Sequence, residues 1–96
     1  MKVAMAKIAN GKVAAYVGLG NEKPILLHRI TFEWFDLNGK SVAVNVFRPN
    51  QYIEENLEIL VASMPIWNPG NVSGVRATAN YEVIDGTAQS DKLVLS

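Results

Sequence analysis

The sequence predicts a mainly β domain in which two antiparallel sheets form a small sandwich. Three observations support this fold class. Short segments alternate apolar and polar residues, turn signals separate them at the roughly 8–12-residue spacing typical of sandwiches, and the chain is too short for two cores. We expect about five to seven strands. A small α+β fold, with one helix across a sheet, is the alternative.

Composition limits the classes of function. The 96 residues, 49% hydrophobic and 19% charged, predict one folded domain over 1–96 rather than a disordered chain. Nine basic and nine acidic side chains cancel, and the basic ones are scattered, so we expect no nucleic-acid partner. The chain has no cysteine for a disulfide.

No segment has the ~18 apolar residues of a membrane helix, so we expect no membrane insertion. Residues 1–9 do not resemble a signal peptide. Envelope, virion and cytoplasm all stay open as locations.

The pair Asn10-Gly11 predicts the first hairpin, because it favours a two-residue type I′ turn. In the register of that turn, small apolar side chains share one face: Ile8 opposite Val13, Ala6 opposite Ala15, and Ala4 opposite Val17. We expect this face to pack closely against another element.

A second hairpin is predicted over 30–46, and two registers compete for it. A two-residue turn at Asn38-Gly39 would place Glu33 opposite Val44, which sets a valine beside a carboxylate. A three-residue loop, 37–39, gives one wholly apolar face instead, with Trp34 opposite Val42, Phe32 opposite Val44 and Ile30 opposite Val46. We therefore predict the three-residue loop.

This register assigns roles to single residues. Gly39 takes the left-handed conformation, and the Asp36 carboxylate accepts hydrogen bonds from backbone amides two residues on. Trp34 is buried, whereas Phe35 and Phe47 lie on the outward face, near the two ends of the hairpin.

A short helix is predicted over 51–62. Apolar residues recur there at helical spacing, Asn50 can cap the first turn, and Pro65 follows the last. Positions 57, 59 and 61 also alternate, so a loop followed by an edge strand is the alternative. The segment 75–83 alternates more regularly and predicts a half-buried strand, after which 93–95 form a short last strand.

Part of the chain resembles the immunoglobulin-like FxLYD family. Residues 21–46, roughly a quarter of the chain, hold an asparagine, a proline and an alternating strand that ends in an aromatic, an aspartate, a glycine and a lysine. The matching positions are Asn21, Pro24, Ile30, Phe32, Trp34, Phe35, Asp36, Gly39 and Lys40. The family's proline-glycine-glutamate turn is replaced by the sequence EENLE at 54–58. The resemblance implies a non-enzymatic immunoglobulin-like sandwich of the microbial cell envelope, without defined functional residues.

The residue types give little support for catalysis. His28 is the only imidazole. Strand alternation predicts that it shares the inward face with Leu26 and Ile30, near the margin of the sheet, with one ring nitrogen hydrogen-bonded. We predict no enzyme, no cofactor and no metal site.

The expected function is a structural or protein-interaction module, such as an envelope-associated or virion accessory domain. It would bind through a sheet face, an edge strand or the loop with Trp67, which is either a plug over the core or an exposed anchor. If uncovered, Phe35 and Phe47 would contribute to an exposed apolar patch, through which we predict a homo-oligomer.

The alternative is a small inhibitor or regulator of a host or phage protein. Its contact would be the acidic side of the predicted helix, with Glu54, Glu55 and Glu58. The same residues are otherwise expected to form a solvated helix surface.

Overall fold

The computed structural model describes residues 2–19, 23–54, 57–84 and 88–95. The strands in these ranges are β1 (Lys2–Ala9), β2 (Lys12–Gly18), β3 (Ile25–Phe35), β4 (Ser41–Phe47), β5 (Gln51–Ile53), β6 (Ile59–Pro65), β7 (Gly74–Val83) and β8 (Ala88–Leu95). They form two antiparallel sheets, one of order β1-β2-β6 and one of order β4-β3-β7-β8, in which β5 also pairs with β3. The described residues contain no helix, and the predicted mainly β fold with two antiparallel sheets is confirmed.

The core lies between the sheets and is built from alternate residues of their inner faces. The buried positions of β2 are Val13, Ala15 and Val17, those of β7 are Val75, Ala77, Ala79 and Tyr81, and those of β3 include Ile30, Phe32 and Trp34. Burying one large apolar side chain contributes about 1.5–3 kcal/mol, so these strands provide most of the driving force. The predicted strand over 75–83 is confirmed.

The first hairpin has the predicted turn. Asn10 and Gly11 both have positive φ, 53° and 73°, as a type I′ turn requires. Ile8 lies opposite Val13 and Ala6 opposite Ala15, as predicted. The pair Ala4 and Val17 is wrong, because a bulge at residue 4 places Val3 opposite Val17.

The predicted three-residue loop of the second hairpin is also confirmed. The Gly39 amide donates to the Asp36 carbonyl at 3.0 Å, and Gly39 has φ +79°. The Asp36 carboxylate accepts hydrogen bonds from the amides of Asn38 and Lys40 at 2.8 and 3.0 Å. This satisfies backbone donors that the tight turn leaves without a strand partner.

Beyond the turn, the predicted register is wrong. Phe35 pairs with Ser41 as the loop requires, but Val42 is an extra residue in a bulge, and Trp34 pairs with Ala43. Every later pair is therefore shifted by one, so Glu33 lies opposite Val44. The valines of β4 face outward, and the residues between them face the core.

Two inward contacts explain this shift. Phe47 packs edge-on against Phe32, with ring centroids 5.8 Å apart and an interplanar angle of 79°. Asn45 accepts a hydrogen bond from the buried Trp34 indole at 2.8 Å. The prediction that Phe47 lies outward is wrong. Facing inward, Phe47 adds an aromatic ring to the core, whereas the predicted register would have placed the smaller Val46 opposite Ile30.

The predicted helix over 51–62 is wrong, and the alternative of a loop and an edge strand is confirmed by β5 and β6. The apolar residues at helical spacing do not face one side in the structure. The pairing of β6 with β2 skips Val61 in a bulge, so Ile59, Ala62 and Met64 pair with inward positions of β2, whereas Leu60 is 53% exposed. Leu57 is 74% exposed, so it does not belong to an apolar stripe facing the core.

The last strand is longer than predicted, since β8 spans Ala88–Leu95 and pairs with β7 along its length.

Candidate functional site

The clearest candidate for a binding surface is β4. It is the outermost strand of its sheet over residues 41–47, and no described strand pairs with its free side. Its seven residues, SVAVNVF, are uncharged, with Lys40 before them and Arg48-Pro49 after them. An edge strand presents unpaired backbone N–H and C=O groups, so an uncharged one is a template for a further strand.

Three valines follow the outer side of this strand. Val42, Val44 and Val46 are 41%, 55% and 46% exposed, and we call them the valine edge. One exposed valine is ordinary, but three in register on one unpaired strand form a continuous apolar strip.

The apolar strip stops at the margin of the sheet. The outward neighbours on β3 are Thr31, opposite Val46, and Glu33, opposite Val44. Glu33 is bound to Arg76 of β7 at 3.3 Å. The interior of this face is therefore polar and internally paired, and its apolar part coincides with the unpaired backbone.

Phe35 lies on the outward face, as predicted, and is half-buried. The Arg76 guanidinium sits over its ring, 5.1 Å from the centroid. Since Phe47 faces the core, the predicted apolar patch made by Phe35 and Phe47 does not exist. The predicted homo-oligomer therefore cannot use that patch.

Trp67 packs against the core from its loop and is half-buried, which favours the plug over the exposed anchor. Both ends of the loop are bound to neighbouring turns. The Ile66 amide donates to the Gly11 carbonyl at 2.9 Å, and Ser73 donates to the carbonyls of Phe35 and Asp36 at 2.8 and 2.6 Å. This loop is better suited to closing the sandwich than to adapting to a partner.

The acidic segment does not form the predicted surface. Glu54 and Glu58 are exposed in the connection between β5 and β6, and Glu55 lies outside the described residues. Without a helix these carboxylates share no helical face. Their role in binding a partner stays a prediction.

His28 occupies a bulge in β3, so Leu27 rather than Leu26 lies on the inner face, and the prediction that His28 shares that face with Leu26 is wrong. The His28 Nε2 atom is 3.4 Å from a Glu82 carboxylate oxygen, with the side chains 44% and 42% exposed. A contact this long and this solvated is weak. Among the described residues, no cluster of three or more potential ligands is placed to hold a metal ion.

Sequence reasoning missed the valine edge because it assigned the valines to the core. The sequence did contain an indication of the observed register. A buried indole N–H needs a hydrogen-bond acceptor, and Asn45 can accept from it only if Asn45 faces inward and the adjacent valines face outward.

Comparison of the chain with protein-family models, with curated proteins and with solved structures found no match in any of the three. In the part of the chain that the structure describes, no helix is long and apolar enough to cross a membrane. The resemblance to the FxLYD family stays a prediction.

Proposed function

We propose that the chain is a non-enzymatic protein-interaction module that binds a partner β-strand along β4. The observation that supports this function is the valine edge, three exposed valines on an uncharged strand with one side unpaired. Strand addition gains affinity from main-chain hydrogen bonds and specificity from alternate side chains. Val42, Val44 and Val46 are alternate side chains of this kind.

The edge fits this role better than the face of the sheet. A partner lying flat on the outer face would cover Thr31 and the Glu33–Arg76 pair, which would have to be desolvated. A partner strand beside β4 contacts backbone groups, the valines on the outer side, and Ala43 and Asn45 on the inner side, all of them uncharged. The polar interior of the face can then stay in water.

The other outermost strands, β1, β6 and β8, are less suited to strand addition. Strands β1 and β8 contain charged residues, Lys2 and Lys7 in the first and Asp91 and Lys92 in the second. The last residue of β6, Pro65, has no N–H to donate. Leu60 is the one strongly exposed large apolar side chain of β6, at 53%.

An interface of this size is weak. Covering three half-exposed valines contributes roughly 2–4 kcal/mol, and each new main-chain hydrogen bond adds about 0.5–1.5 kcal/mol. The loss of translational and rotational freedom offsets much of this gain. We expect dissociation constants in roughly the micromolar to millimolar range.

Selection of a random-peptide library on the immobilised chain tests the proposal. We expect enriched peptides with β-branched or aromatic residues at alternate positions, which bind Val44→Lys at least about tenfold more weakly. Leu60→Lys is the matched control, because Leu60 and Val44 are 53% and 55% exposed, and it should bind like the wild type. The proposal fails if no such peptides are enriched, or if Val44→Lys binds them as well as the wild type.

A further inference from the structure

The valine edge has a symmetry that bears on its partner. Its residues, Val42, Val44 and Val46, are equally spaced about the middle one. When two antiparallel strands are related by a twofold axis through Val44, that residue lies opposite its own copy. Val42 of each chain then lies opposite Val46 of the other.

We propose that the strand bound along β4 is β4 of a second copy of this chain, so that two five-stranded sheets join into one continuous sheet. This inference rests on the proposed function and names its partner. A twofold arrangement is closed, because each copy uses its one free β4 and offers no further site of this kind.

Side chains on both faces are compatible with this pairing. On the outer face, valine meets valine at every position, so cross-strand contacts are apolar along the whole strip. On the inner side, Ala43 lies opposite Asn45, whose amide oxygen is already held by Trp34. All seven residues of β4 are uncharged, so the pairing buries no charge.

The flanking charges limit the affinity. Lys40 and Arg48, both exposed, are equally distant from Val44 in sequence. In the twofold pair, Lys40 of each copy therefore lies near Arg48 of the other, and the two like-charge contacts oppose association. Reversing one of these charges turns both repulsive contacts into attractive ones.

Sedimentation equilibrium of the full chain over a wide concentration range tests the pairing. We expect a monomer–dimer equilibrium in the wild type and dissociation by Val44→Lys. Lys40→Glu and Arg48→Glu should each tighten the dimer about three- to tenfold at low salt, and added salt should remove the gain. The double variant Lys40→Glu/Arg48→Glu restores like charges and should lose it too.

Two controls separate this effect from changes in net charge and in folding. Lys12→Glu makes the same charge change at an exposed position away from β4, and it should leave the dimer unchanged. Far-UV circular dichroism checks each variant. Lys40→Glu places a new carboxylate near that of Asp36, which accepts a hydrogen bond from the Lys40 amide at 3.0 Å. Arg48→Glu tests the same charge contact without this change beside the turn.

The outcomes distinguish this inference from the proposed function. A chain that stays monomeric at all concentrations but loses selected peptides on Val44→Lys refutes self-pairing and supports strand binding to another protein. A dimer that is insensitive to Val44→Lys, or that Lys40→Glu and Arg48→Glu fail to tighten, uses another surface and also refutes the inference. Failure of both dimerisation and peptide binding refutes both proposals.

Discussion

Replacing Asn45 by leucine removes the hydrogen bond on which we base the register of β4. Trp34 is 1% exposed, and its indole N–H donates to the Asn45 side-chain oxygen at 2.8 Å. Leucine has a shape close to that of asparagine but no acceptor. In the described part of the chain, every buried side-chain nitrogen or oxygen has a hydrogen-bond partner. This substitution leaves the Trp34 indole nitrogen buried without one.

The expected cost follows from burial. A buried donor without an acceptor costs about 1–3 kcal/mol. Asn45 is itself half-buried, so leucine recovers part of this loss through apolar contact. We expect the free energy of unfolding to fall by about 1–2 kcal/mol. For a chain of this length, the melting temperature should fall by roughly 4–8 °C for each kcal/mol.

A double-mutant cycle isolates the hydrogen bond from other effects of the substitution. Trp34→Phe removes the donor, so Asn45→Leu should cost little in the Trp34→Phe background and about 1–2 kcal/mol in the wild type. Urea unfolding followed by far-UV circular dichroism gives all four free energies of unfolding. Equal costs in the two backgrounds would show that the indole does not depend on Asn45 and would refute our explanation of the register.

Two further predictions concern the hairpin and the sheet face beside it. Gly39→Val should destabilise by about 1 kcal/mol or more in urea unfolding, because φ is +79° and a new Cβ meets no atom within 4 Å, so the cost is purely conformational. Gly39→Asn should cost less, and equal costs would count against that reasoning. Arg76→Gln removes the contacts with Glu33 and Phe35 and should cost about 1 kcal/mol or less, since the ion pair is partly exposed. That cost should shrink in high salt. A loss of stability well above about 1 kcal/mol would mean that the contacts of Arg76 with Glu33 and Phe35 are stronger than their exposure implies.

The turns were predictable because the residues that make them act locally. Asn10-Gly11 and the segment from Asp36 to Gly39 determine backbone conformation over a few residues, and no distant contact overrides them. The strand over 75–83 was equally predictable, since its alternation runs without a bulge.

The errors have a common physical origin in β-bulges. Extra residues at Val42, Val61 and His28 exchange the two faces of a strand at those points. A bulge can leave the alternation of the sequence intact, as in β4, while the side chains on its two sides face differently from what that alternation predicts. Where bulges occur depends on contacts between distant residues, such as that of Trp34 with Asn45, and these contacts do not show in local pattern.

The central position of β3 has a consequence for the order in which the chain folds. Its partner β4 is adjacent in sequence, whereas its partner β7 arrives much later, and Ile25 pairs with Val83. A hairpin closes in about 1–10 μs, but long-range pairing must first overcome the entropy of closing a large loop. During synthesis, β3 and β4 also emerge from the ribosome before β7. For that interval the hairpin offers unpaired backbone on both sides, and docking of β7 ends the period in which β3 is open to aggregation.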